Sequence, residues 1–241
     1  RDEAVRYVGA IEHWRAQYDD FNPDKYLVEE AHKRGIEVWG VSTLQDWGAS
    51  GDTPINFYPA HFEADFRIQN PDWVPKDKYG FMEQGGAVEF SYPEARRHLV
   101  DLHMQEVEDV GYDGVLFITY SENFSLKYDD QFGFSEPAVE EFYRRYGIVA
   151  GKEPFNRWAS IYDWRRLRGE YVTEFLRELK QELGDRGLGL FLDPRNPYHM
   201  QVWQYDTVIS NAIYLDLETW VREGIVDQFL VNGASSVDIQ A

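Results

Sequence analysis

The chain contains no cysteine. That single absence excludes disulfide bridges, thiolate zinc sites and cysteine nucleophiles. Basic residues are scarce, with 24 Lys and Arg against 43 Asp and Glu, a formal net charge of −19 at pH 7. A field of that sign repels phosphate backbones and anionic lipid surfaces, so neither nucleic acid nor a membrane is an expected partner. No apolar run approaches the roughly 20 residues that a membrane span requires. Signature motifs are missing as well. The glycine-rich stretch 184–189 (GDRGLG) follows a helix, where a phosphate-cradling loop would follow a strand. No His-Glu-x-x-His pair and no Gly-x-Ser-x-Gly elbow occur, so zinc-protease and Ser-His-Asp chemistry lack support. No cofactor and no resident metal are expected.

What remains is a globular composition of 43% hydrophobic and 28% charged residues over 241 positions, enough for one large domain spanning 1–241. Aromatic residues are abundant, with 8 Trp, 16 Tyr and 15 Phe. A ring-rich core is the plain reading. The surplus also suits a carbohydrate ligand, because the flat apolar faces of sugars stack on exposed rings.

Strand and helix signals alternate, which predicts a parallel sheet with crossover helices. Strands are expected near 7–13, 36–43, 113–119, 188–192 and 226–231, with 208–215 as a short sixth. Asn22-Pro23 opens a helix that closes at Gly35, and Pro93 opens another, striped by Leu99, His103, Val107 and Val110, that closes at Gly111. A short helix runs from Ser135 to Gly147 and a long one from about 156 to 183. Asp216 caps a last helix that stops at Gly224. Residues 44–92 show no sustained period but hold many rings, among them Trp47, Phe66, Trp73, Tyr79 and Phe81. They are expected to form an ordered lid over the strand ends, with the rings packed away from water. This is the pattern of a (β/α) TIM barrel. With about five to six βα units where a closed barrel has eight, the chain reads as a portion of a longer barrel or a reduced one.

In such folds the residues just past the carboxyl end of each strand converge on one crevice. Those positions are Glu12, His13 and Trp14; Gln45, Asp46 and Trp47; Tyr120, Glu122 and Asn123; Asp193, Arg195 and Asn196; and Asn232. Four strands thus each deliver a carboxylate to one face, which suits the paired acids of glycoside hydrolysis. Bland readings stand beside this one. Asp193-Pro194 also starts turns, Glu122 lies in a Ser-Glu-Asn run with helix-capping chemistry, and Glu12 and Asp46 could be solvated loop charges. Asp113 and Asp227 fall at the amino ends of strands, the stability face, and stay outside the site. His32 and His103 lie on helices and read as packing or dipole partners.

Several stretches resemble the bacterial glycosyl-hydrolase-like, family 10-like TIM-barrel proteins: 29–38 (EEAHKRGIEV), 70–73 (NPDW), 92–96 (YPEAR), 112–115 (YDGV), 132–147, 164–179 and 220–227 (WVREGIVD). The resemblance implies a carbohydrate partner, hydrolysis of a poly- or oligosaccharide, and an extracellular or periplasmic location. Such relatives often carry an acid four residues after the glycine of the Asp-Gly strand, where this chain has Ile118. Either Glu122 has taken over that role or the barrel binds sugar without cleaving it. The expected pair is Glu122 as general acid and Asp193 as nucleophile or base with Arg195 holding it ionised, the reverse assignment being open. Glu12, His13, Trp14, Asp46, Trp47, Tyr120, Asn123, Arg195, Asn196 and Asn232 would contact substrate. A metal-dependent hydrolase built from Glu12, His13, Asp46, Glu122 and Asp193 is the third reading.

Overall fold

The computed structural model describes residues 21–44, 47, 64–84, 86–119, 132–152, 154–155, 158–192, 201–204, 207–210 and 213–231. The first expected strand, 7–13, lies outside them. Helix α1 is Pro23–His32, opened by the Asn22 carboxamide, which accepts from the N–H groups of Asp24 and Lys25 at 3.0 Å. Strand β1 (Trp39–Thr43) starts later than the expected 36, because Ile36 still donates its N–H to Ala31 and so belongs to the end of α1. A long segment then contains helix α2 (Asp65–Gln69) and a 3₁₀ turn at Pro71–Trp73. Helix α3 (Pro93–Val110) leads into β2 (Gly114–Ile118), α4 (Glu136–Tyr146) and α5 (Trp158–Leu183). Next come β3 (Gly187–Leu192), β4 (Gln201–Gln204), β5 (Thr207–Ser210), β6 (Ile213–Leu215), α6 (Leu217–Arg222) and β7 (Gln228–Val231).

Strands β1, β2, β3 and β7 form one wholly parallel sheet in that order. Residues 208–215 do not add a parallel strand to it. Instead β4, β5 and β6 make a separate antiparallel sheet. Only two residues separate each pair, which is hairpin length, whereas parallel neighbours need a crossover of a dozen or more residues. Strand β6 lies on α5, where the Tyr214 carbonyl occupies the space that a side chain at Gly169 would need.

The parallel sheet has two unlike faces. Val115 and Phe117 of β2 and Leu188, Leu190 and Leu192 of β3 point into the main core, with Leu99 and Val107 of α3, Phe175 and Leu179 of α5, and Trp220 of α6. The other face carries Trp39, Val41, Leu116, Ile118, Phe191 and Leu230, none of which belongs to that core. It is open among the described residues, and Val41 is 60% exposed. On this open face the Trp39 indole lies across Gly114 of β2 and Gly187 and Gly189 of β3.

At the amino ends the carboxylates do structural work. Asp113 accepts from the Val38 N–H at 2.7 Å and from His32 Nε2 at 2.8 Å. Asp227 accepts from the Leu188 N–H and from Lys180 Nζ, both at 2.8 Å. Each carboxylate ties the start of one strand to its neighbour.

A Cβ on Gly187 would overlap the Trp39 ring. Gly187→Ala is therefore expected to lower the unfolding free energy by about 2 kcal/mol in urea titration. In a Trp39→Leu background the same change should cost about 0.5 kcal/mol or less. Strict additivity of the two changes would show that the glycine makes no room for the indole.

Candidate functional site

Strands β2 and β3 end side by side, with Ile118 in register with Phe191. Thr119 follows directly and donates its N–H (3.2 Å) and its hydroxyl (2.9 Å) to the Phe191 carbonyl. The connections that carry Tyr120, Glu122 and Asn123 and then Asp193, Arg195 and Asn196 leave the sheet from these two adjacent ends. Those six residues lie outside the described residues, as do Glu12, His13, Trp14, Asp46 and Asn232. Trp47 is the one expected contact residue that is described. Its half-buried ring meets Phe66 edge-on at 5.6 Å and His103 at 5.4 Å. Its backbone N–H donates to Gly86 at 2.7 Å, and its carbonyl accepts from Ala64 at 3.0 Å.

A buried polar cluster that strand-end reasoning missed sits at the same end of the molecule. Its position follows from helix lengths. Arg168 is 15 residues from the end of α5, about 22 Å along the axis, and the strands are about 17–20 Å long. Arg168 therefore stands level with the carboxyl ends. Glu89, at the foot of α3, is the only buried carboxylate among the described residues. Burial pushes its pKa up, while the Arg168 charge and the N–H and hydroxyl of Ser91 pull it back. Burial likewise outweighs attraction at Arg168 and lowers its pKa. Glu89 is thus biased toward holding a proton, and its Oε2 has no hydrogen-bond partner among the described residues. The Ser91 hydroxyl also bonds that of Ser135 at 2.9 Å, so Ser135 joins two chain segments here and its side chain leaves the first turn of α4 uncapped. The Arg168 guanidinium fills the space beside Gly133, whose φ of 101° and lack of a side chain admit it. A sequence signal for Glu89 did exist, a lone acid in the run Ala-Val-Glu-Phe-Ser at 87–91, every member of which is buried.

His103, on the core stripe of α3, is packed among the rings of Trp47, Phe117 (4.8 Å, edge-on) and Phe175 (6.4 Å). Neither ring nitrogen has a hydrogen-bond partner among the described residues, and burial lowers its pKa to about 4. It is a core residue carried as neutral imidazole. Among the described residues no three His, Asp or Glu side chains converge as a metal site would require, and no helix is long and apolar enough to cross a membrane.

No known family profile and no curated protein matches the chain. Solved structures match in part. A β-galactosidase from Rahnella sp. R3 is 13% identical with a TM-score of 0.47, over 88% of this chain and 31% of that one. The catalytic domain of a β-amylase from Paenibacillus polymyxa is 11% identical with a TM-score of 0.44, over 85% of this chain and 63% of that one. An α-galactosidase from Lactobacillus brevis is 12% identical with a TM-score of 0.40, over 72% and 19%. The chain therefore spans less than two thirds of each. Overlaps at these scores carry no weight for chemistry, which rests on the geometry above.

A histidine held neutral in the fold but free to charge when unfolded makes stability depend on pH. The imidazole has a pKa of about 6.5 unfolded and about 4 folded, so stability is complete above pH 6.5 and falls as pH drops through that window. The loss should reach about 3 kcal/mol at pH 4. Glu89 acts with the opposite sign, since its raised pKa removes stability as pH rises above 4.5. The difference between the parent and His103→Phe isolates the imidazole. Urea titrations from pH 7 to 4 should show the variant losing about 2–3 kcal/mol less than the parent. Parallel curves would contradict a neutral His103.

Proposed function

We propose that the chain is part of a (β/α)-barrel glycoside hydrolase that cleaves a poly- or oligosaccharide with two carboxylates at the strand carboxyl ends. The observation that carries the reading is the singly wound sheet. Its strands follow in chain order with crossover helices on one face only among the described residues, and β2 and β3 end in register where the Glu122 and Asp193 connections begin. A doubly wound sheet would have covered both faces. An open inner face fits a barrel segment, and the segment after β1, whose described part packs on the first half of α3, fits a lid over that barrel's mouth.

In this reading Glu122 gives a proton to the leaving oxygen, and Asp193 attacks the anomeric carbon or activates a water. Tyr120, Asn123, Asn196, Asn232, Glu12, His13, Trp14, Asp46 and Trp47 orient the sugar. Arg195 keeps Asp193 ionised. The family 10-like resemblance and a site of action outside the cytoplasm belong to the same proposal. A barrel that binds sugar without turnover is favoured only by Ile118, which stands where such relatives often carry an acid.

Glu122→Gln preserves side-chain size but has no carboxyl proton to give. Against a panel of plant and algal polysaccharides it is expected to cut turnover by roughly 10²-fold or more and to leave sugar affinity nearly intact. Unchanged turnover removes Glu122 from the mechanism. Binding without turnover in the parent makes the barrel a binding module.

A further inference from the structure

The rings of the segment after β1 do not share one fate. Phe66 and Trp73 pack on His98 of α3, at 4.8 and 5.8 Å, as the expectation of buried rings required. Tyr79 and Phe81 do the opposite. They are 68% and 87% exposed, lie 6.5 Å apart with planes 24° from parallel, and are joined by Met82 at 43%. The Lys78 ammonium stands 5.2 Å over the Tyr79 ring.

This exposure is held in place by the structure. Asp77 accepts through Oδ1 from the N–H groups of Phe81 at 2.7 Å and Met82 at 3.0 Å. Its own N–H donates to the Met82 carbonyl and its carbonyl accepts from Gly80, both at 2.9 Å. Gly80 closes the turn with φ of 72°, which only glycine adopts without strain. At the base the backbones of Lys76 and Glu83 form an antiparallel bridge, and the Lys76 carbonyl accepts from Gly133 and Phe134 at 3.0 and 3.1 Å. Phe134 in turn stacks on Trp164 at 5.1 Å within the second core of α4 and α5. Two rings are therefore held out in water by a turn whose backbone is fixed at tip and base. Preorganised apolar surface of this kind lowers the ordering cost of a ligand.

We propose that Tyr79 and Phe81 form a stacking platform for an uncharged polysaccharide chain, on the rim of the cleft that Glu122 and Asp193 would serve. The proposal rests on the carbohydrate reading above. Three observations select the occupant. The patch is three side chains wide, far below the roughly 800 Å² per partner of a stable protein interface. The chain's net charge of −19 disfavours a polyanion. The hairpin base is bonded to residues 132–134, where the connection carrying Glu122 re-enters the described structure.

The test is affinity electrophoresis of the full chain through gels containing soluble β-glucan, galactomannan, starch or alginate. At least one neutral glycan should retard the parent, and alginate should not. Tyr79→Ala/Phe81→Ala should weaken the retarding interaction by about tenfold or more. Phe81→Trp should retain it, and so should Val221→Ala, which trims another exposed hydrophobic residue, on α6. Thermal unfolding should be unchanged throughout, since both rings are in water already. Equal retardation of the double variant and the parent overturns the platform and leaves the hydrolase reading standing. A parent that neither binds nor cleaves any neutral glycan overturns both. If the double variant changes only the sedimentation of the protein, the patch is a self-contact and the proposal fails.

Discussion

Parallel strands cannot be neighbours without long crossovers to connect and cover them, and here the crossover helices lie on the same side of the sheet. From that one-sided burial the rest follows. One set of alternate residues, from Val115 to Leu192, is committed to the helices, and the other set, from Trp39 to Leu230, faces away. Because all four strands run the same way, their carboxyl ends and the connections leaving them share one edge. Trp39 is the filler that the open face requires. One large ring spans three glycines, so the sheet stays apolar there without a bulky side chain on every strand.

The two edges divide the labour of charged residues. At the amino edge, Asp113 and Asp227 accept backbone N–H groups of neighbouring strands and pair with His32 and Lys180. At the carboxyl edge, Glu89 and Arg168 are buried where the loss of water disfavours both charges, and their shifts run against ionisation. A group held reluctant to ionise differs in kind from one that ties strands together. Ser91, which hydrogen-bonds Glu89, also bonds Ser135, just after the connection that carries Glu122 re-enters the described structure.

Strand positions were legible in the sequence because buried parallel strands are continuous apolar runs, as in 114–118 and 187–192. Helix ends were legible because Asn22, Asp216, Gly111 and Gly147 have local chemistry that tertiary packing does not override. The antiparallel strands at 201–215 were not, since short apolar runs carry no mark of direction and only the two-residue spacers betray it. Glu89 escaped because it precedes a helix instead of following a strand, and its charge partner Arg168 is 79 positions away in sequence. Two of the stretches that carry the family 10-like resemblance have structural roles: Arg96 of YPEAR bonds the Phe90 carbonyl, Glu174 and Glu178, and Trp220 of WVREGIVD donates to the Thr173 hydroxyl. The candidate catalytic pair lies outside the described residues, so its assignment rests on where β2 and β3 end.

Helix α5 is about 39 Å long, roughly twice the length of the strands it crosses. Its second half belongs to the main core through Phe175 and Leu179, and its first half belongs to the smaller core through Trp164 and Leu167. One continuous rod thus serves two hydrophobic bodies. A rigid rod of this kind would transmit rotation, so a roll about its axis that repacked Trp164 would also move Phe175 against the sheet. The smaller core and the aromatic hairpin seated on it thus share one helix with the main core, so a rigid roll of that helix would be felt by the strands.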